Sequence, residues 1–148
     1  MNPLRDHMPA LVRHAGLWEG TYRTVDSAGV EIDRHASRIE VFFPDDGPHA
    51  YVQKNRFTWP DGRVVEAEHP GVYRDGRLWW DTGLISGHAW QGDDRTCVLT
   101  WERTDAPGAH LYELIVLAPD GLSRARTWHW FRDGHCFQRT LIDETKVA

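Results

Sequence analysis

The chain has 148 residues, a length that fits one domain with a substantial core. Its formal net charge is −5, and nearly all of its positive charge is arginine, so it lacks the basic face of a nucleic-acid-binding protein. No apolar run approaches the ~18 residues that span a membrane, and Met1–Pro9 lacks the shape of a secretion signal, so a soluble, cytoplasmic protein with no membrane partner is expected.

Asp6–Ala15 carries Met8, Leu11, Val12 and Ala15 at helical spacing, with Gly16 as a natural stop. This predicts a short helix at one end of the fold. Beyond it, turns punctuate the chain. Weaker turn signals stand at Asp26–Gly29, Asp45–Pro48 and Gly92–Asp94. Asp-Gly pairs at 61–62, 75–76, 120–121 and 133–134 are stronger, because the hairpin turn that matches strand twist needs positive φ at its centre. The intervening segments are rich in β-branched and aromatic residues. Strands are predicted near 17–26, 29–43, 49–59, 63–69, 71–74, 77–82, 84–91, 96–103, 109–118, 122–131 and 135–143, with the pieces between 63 and 91 free to merge. Short links make neighbours antiparallel, and closing the sheet removes its two edges. The expectation is all-β: a single closed antiparallel meander barrel of about 8–10 strands with a short N-terminal helix. It forms one domain over 1–148, with the helix at about 6–15 and the barrel at about 17–143. A sandwich is the alternative, disfavoured by the near-absence of long crossovers.

Cys97 and Cys136 form no CxxC or zinc pattern, so two free buried thiols are expected over a disulfide. None of the nine histidines falls in a spaced ligand motif, and no nucleotide fingerprint or nucleophile elbow is present. No metal and no cofactor are therefore expected. Eight tryptophans are unusual for this length. Trp is costly to expose, so several of these rings should line an interior.

Gly16-Leu17-Trp18-Glu19-Gly20 resembles the G-x-W start of the first strand of lipocalin-like (calycin) barrels. The resemblance extends to small bacterial lipocalin-like proteins of unassigned function and, more distantly, to nitrobindin-type barrels. It implies that Trp18 closes the barrel floor while an arginine of the last strand, Arg139, stacks across it.

Counting outward from the turns assigns faces. Around Asp120-Gly121, Ile115 pairs with Arg126 and Glu113 with Trp128. Around Asp133-Gly134, Trp130 pairs with Phe137 and Trp128 with Arg139. If Arg139 points inward, Glu113, Arg124, Arg126, Trp128 and Trp130 line the lumen. The outside then carries Tyr112, Leu114 and Val116, apolar enough to suggest a homodimer. The alternative places the Arg126–Glu113 pair on the outer wall. Alternation in 51–59 turns Tyr51, Gln53, Asn55, Phe57 and Trp59 inward, and Glu66 and Glu68 fall on the same face. His88 and Trp90 share a face with Leu84 and Ser86; Trp101 lies on the next strand.

The expected function is binding of a small, partly apolar, carbonyl- or carboxylate-bearing molecule in a Trp-lined cavity. Trp90, Trp101, Trp128 and Trp130 would form aromatic walls, and Tyr51, Gln53, Asn55 and Arg126 polar contacts. In fatty-acid-binding barrels of this shape an inward arginine holds the ligand carboxylate, the part Arg126 would take. Whether the protein is an enzyme is left open: the second reading is a cofactor-independent lyase, isomerase or cyclase using His88, Glu113 or His129 as acid or base. The third is a haem-binding barrel with His129 or His135 as axial ligand.

Overall fold

A computed structural model describes the whole chain, Met1–Ala148. Ten strands follow one another: β1 (Gly16–Asp26), β2 (Glu31–Phe42), β3 (Tyr51–Thr58), β4 (Val64–Arg74), β5 (Arg77–Asp81), β6 (Ile85–Gln91), β7 (Thr96–Arg103), β8 (His110–Leu117), β9 (Ser123–Arg132) and β10 (His135–Lys146). Each pairs antiparallel with the next, and β1 pairs with β10 to close the barrel. No helix is long and apolar enough to cross a membrane.

The single helix expected near the N-terminus is two, α1 (Leu4–His7) and α2 (Pro9–Val12). Pro9 causes the break: the residue before a proline is pushed out of the helical region, and Met8 sits at φ −138°. Leu4, Met8 and Leu11 are buried together with Trp18, Ile39, Val41 and Leu117, so the helices plug one end of the barrel. Asn2 ties the plug down by donating from Nδ2 to the carbonyls of Pro44 and Ala50, both at 2.7 Å.

Turn chemistry sets the facing of each strand. Asp75-Gly76 and Asp133-Gly134 are tight two-residue turns with positive φ at both positions. Asp61-Gly62 differs. Trp59 N–H donates to Arg63 O (2.9 Å), so three residues form the loop, and only Gly62 is left-handed. The extra residue shifts the register by one. Glu66 and Glu68 therefore pair with Arg56 and Lys54 on the outer face, not with Phe57 and Asn55 as a two-residue turn would require. The pieces expected at 63–69 and 71–74 form one strand. β4 pairs with β3 over 64–71 but with β5 only over 71–74, and Pro70 lies next to this change of partner.

A β-bulge between Cys136 and Gln138 corrects the expected facing of β10. One extra residue reverses everything after it. Gln138, Thr140, Ile142 and Glu144 face inward, while Arg139 faces outward opposite His129. Arg139 therefore does not cover Trp18. Arg124 of β9 does, its guanidinium 4.4 Å from the ring centroid, and the Trp18 indole donates to His14 O at 2.9 Å. Gly20 lies against β10. A Cβ there would collide with the Asp143 carbonyl oxygen and lie 2.7 Å from Glu144 Cγ.

Above Trp18 lies a closed set of charges. Arg124 Nε donates to Glu144 (2.8 Å), and Arg126 Nε donates to Glu113 (2.9 Å). One Arg126 Nη nitrogen also donates to the Tyr22 hydroxyl (2.8 Å) and to Glu144 (3.3 Å). Two guanidinium and two carboxylate groups, all buried, thus meet as two positive against two negative charges. Arg124 also donates to His14 Nδ1 (3.1 Å), which keeps this buried imidazole neutral. Burial and then the neighbouring Arg124 hold its pKa well below the usual 6.5. Burial pushes Glu144 up, but Arg124 and Arg126 outweigh it and hold the carboxyl below its ordinary 4.5.

The cysteines are both free. Cys97 is buried, with its thiol pushed up to about 12 by burial, whereas Cys136 is exposed on the bulge, contrary to expectation. On the outer face of β8, Tyr112, Leu114 and Val116 stand exposed in a row.

Two outcomes follow for stability. Gly20→Ala forces the β1–β10 seam apart and should cost about 1–3 kcal/mol in chemical denaturation. Acid should weaken the fold through two groups whose folded pKa is depressed. Their stabilisation is complete above the unfolded values of 6.5 for His14 and 4.5 for Glu144, and is lost as pH falls from those values toward the folded ones. Glu144→Gln should therefore lose less stability than wild type between about pH 5 and pH 3, read from denaturation midpoints across that range.

Candidate functional site

Between the charged floor and the open end is a cavity of about 610 Å³. Inward positions of β5, β7 and β9 supply Trp80, Trp101, Trp128 and Trp130. Trp101 and Trp128 meet edge to face, centroids 4.9 Å apart. The indole N–H groups of Trp80, Trp101 and Trp128 are buried and have no acceptor in the protein, while the rings supply much of the cavity's apolar lining. Trp130 differs: it donates to Thr140 Oγ1 at 3.0 Å.

The polar side of the cavity is β3. Its outward positions hold Lys54 and Arg56, and its inward positions hold Tyr51, Gln53, Asn55 and Phe57. The inward polar groups form a chain. Tyr51 Oη donates to Gln53 Oε1 (2.5 Å), and Gln53 Nε2 donates to Asn55 Oδ1 (2.8 Å). Asn55 Nδ2 ends the chain with no protein acceptor and is not closed off by neighbouring atoms. The Tyr51 hydroxyl is raised far above its ordinary pKa by burial and remains neutral.

Glu113 and Arg126 line the deep end, where each is already engaged by the other, and Arg126 further by Tyr22 and Glu144. The inward Arg126–Glu113 pair is thus realised, and the outer-wall alternative is not. The expected use of Arg126 as an anchor for a ligand carboxylate does not fit, because its charge is matched inside the protein.

His88, Trp90 and His129 do not reach the cavity. In β6 the inward positions are Ile85, Gly87 and Ala89, and a Cβ on Gly87 would clash with the Thr100 carbonyl oxygen of β7. His88 and Trp90 fall between them and face outward. There His88 packs against Trp79 and Trp90, and Arg77 lies over Trp90. His129 is cross-strand from Tyr112 and Arg139, both outward. His135 opens β10 and is exposed. Neither histidine considered as a haem ligand therefore points into the lumen.

The structure brings in two histidines that the sequence reasoning passed over. His69 of β4 lines the cavity, with Nδ1 3.4 Å from Thr82 Oγ1; burial, then Arg103 and Arg126, lower its pKa. His35 of β2 lines the open end, with its side chain 11% exposed. Its Nδ1 lies 2.8 Å from Asp33 Oδ2, and the other Asp33 oxygen accepts from Trp59 Nε1 at 2.9 Å. The alternation that was read along β3 also holds in β2, where Arg34, Arg38 and Glu40 are exposed and Ser37, Ile39 and Val41 buried. Carried back two positions, it turns His35 and Asp33 inward. Arg103, across the mouth, is bound through two bonds by Asp105, each 2.8 Å.

No protein-family profile matches the chain, and no curated protein sequence matches it. Solved structures do. The S-type phycobiliprotein lyase of Guillardia theta superposes with a TM-score of 0.73 at 16% identity, over 100% of this chain and 94% of the lyase. Rv2717c of Mycobacterium tuberculosis gives 0.64 at 13% identity, over 96% and 98% of the two chains. A protein of unknown function from the DUF3598 family of Nostoc punctiforme gives 0.66 at 14% identity; 91% of this chain matches 48% of that one, so this chain spans about half its length. At such identities the likeness is one of fold, and that fold is the closed lipocalin-like barrel.

Proposed function

We propose that the protein binds one small, partly apolar, neutral carbonyl-bearing molecule inside the barrel. The observation that carries this reading is a cavity of about 610 Å³ with Trp walls and a hydrogen-bonded polar chain ending in an unused donor, Asn55 Nδ2. A cavity of this size and lining is characteristic of small-molecule sites. Asn55 Nδ2 suits a carbonyl oxygen. A carboxylate is less well served. The floor charges balance without it, and Arg103 at the mouth is held by Asp105, so a buried anion would lack a counter-charge.

The reading as a cofactor-independent lyase, isomerase or cyclase has less support. Of its three acid–base candidates, His88 and His129 lie outside, and Glu113 is held by Arg126.

Isothermal titration with benzophenone, a neutral aryl ketone, and with diphenylmethane, which lacks the carbonyl, tests the proposal. Benzophenone should bind at one site with a Kd on the order of 10 µM. Asn55→Leu should weaken benzophenone about five- to tenfold and leave diphenylmethane unchanged. No saturable binding of either compound would remove the reading. Equal loss of both in Asn55→Leu would remove its carbonyl component.

A further inference from the structure

We infer that the mouth of the cavity holds a second, built polar subsite, the Asp33–His35 pair, which receives an aromatic hydroxyl of the bound molecule. This deepens the proposed function and rests on it: the same ligand that presents a carbonyl to Asn55 would present a phenolic O–H to His35.

The geometry leaves His35 one free polar atom. Asp33 accepts from two N–H donors, His35 Nδ1 at 2.8 Å and Trp59 Nε1 at 2.9 Å. An acceptor at Nδ1 places the proton there in the neutral ring, so Nε2 carries the lone pair. Nε2 has no partner in the protein and is not sealed by surrounding atoms. The ring itself is held by aromatic neighbours. Tyr22 stacks on it at 4.9 Å and 24°, Trp59 lies 4.3 Å away, and Phe57 meets it edge-on at 5.0 Å. A ligand group must therefore approach the ring edge, as a donor, beside flat aromatic surfaces.

A phenol fits this description best. Its ring packs against the aromatic side chains at the mouth. Its O–H, with a pKa of about 10, is a stronger donor than an aliphatic alcohol and needs no counter-ion while neutral. The anchoring resembles the orienting role of a carboxylate behind a histidine in acid–base sites, where the bond at Nδ1 selects the tautomer that leaves Nε2 free. Asp33 acts through His35 and is a positioning residue; His35 Nε2 is the group that touches the ligand. With the ring in its neutral form, the bond joins neutral groups and no proton need change owner.

The test compares 2-naphthol with 2-methoxynaphthalene, which differ only in the hydroxyl hydrogen and its methyl replacement. Wild type should bind 2-naphthol about five- to tenfold more tightly in isothermal titration. His35→Phe, which keeps a flat ring in the aromatic slot, should bring that ratio to about one while 2-methoxynaphthalene binding stays unchanged. Asp33→Asn should lower the ratio to about two- to threefold, an effect on discrimination that a purely structural role would not produce. Nitrogen NMR of wild type gives a readout independent of any variant. The His35 Nε2 resonance should be that of an unprotonated nitrogen and should move on addition of 2-naphthol but not of 2-methoxynaphthalene. Equal affinity of the two compounds for wild type, a ratio unchanged in His35→Phe, or an Nε2 resonance that does not respond would overturn the subsite and leave the cavity reading standing. Failure of both compounds to bind would overturn the two together.

Discussion

Two arginines can sit inside a barrel only if something of opposite charge meets them there, and in this protein Glu113 and Glu144 do so. The four groups, with Tyr22 and His14, join β1, β8, β9 and β10 to the segment that follows the N-terminal plug. Removing any one leaves an uncompensated buried charge, a far larger penalty than the loss of a surface pair. The network's charges balance internally, so none of the four is left unmatched at the deep end of the cavity.

Above that neutral floor the cavity is divided by strand. β5, β7 and β9 contribute indole surfaces, β3 contributes a relay of amide and hydroxyl groups, and β2 contributes an imidazole fixed by a carboxylate. Each set comes from alternate residues of a strand; in β3 and β2 the residues between them include the cations Lys54, Arg56, Arg34 and Arg38. The fold thus converts a period of two in sequence into a lumen with chemically distinct sides.

Most of the architecture was legible because Asp-Gly turns and β-rich segments repeat along the chain. The pairing of β8 with β9 follows from counting around Asp120-Gly121, which puts Glu113, Arg126, Trp128 and Trp130 on one face; taking that face as the inner one rested on an inward Arg139, so the assignment holds although its premise does not. Two single-residue irregularities defeated the same counting elsewhere. The three-residue loop at Pro60–Gly62 moved Glu66 and Glu68 outward, and the bulge before Gln138 moved Arg139 outward. Neither announces itself by composition. Asp61-Gly62 reads like the two-residue turns, and Cys136-Phe137-Gln138 contains no glycine. The role expected of Arg139 is performed by Arg124, which the counting put on the same face as Glu113 and Arg126 but did not link to Trp18. His88 and Trp90 were misplaced because a segment with two glycines, Gly83 and Gly87, gives alternation little to hold. His35 was missed for a different reason: alternation was clear in β2 but was not followed there.

The uneven pairing of β4 has a mechanical consequence. Residues 64–70 are bonded along the backbone to β3 alone, because β5 is only five residues long and meets β4 from Gly71 onward. On the other side of this stretch stands the bend between β5 and β6, touching it through His69 and Thr82. Elsewhere around the circumference, parting two neighbours means breaking a ladder of amide bonds. Here it means sliding side chains past one another. The wall therefore has one stretch joined to a neighbour by side chains and not by a backbone ladder, so that parting it breaks fewer amide hydrogen bonds than parting a fully paired boundary.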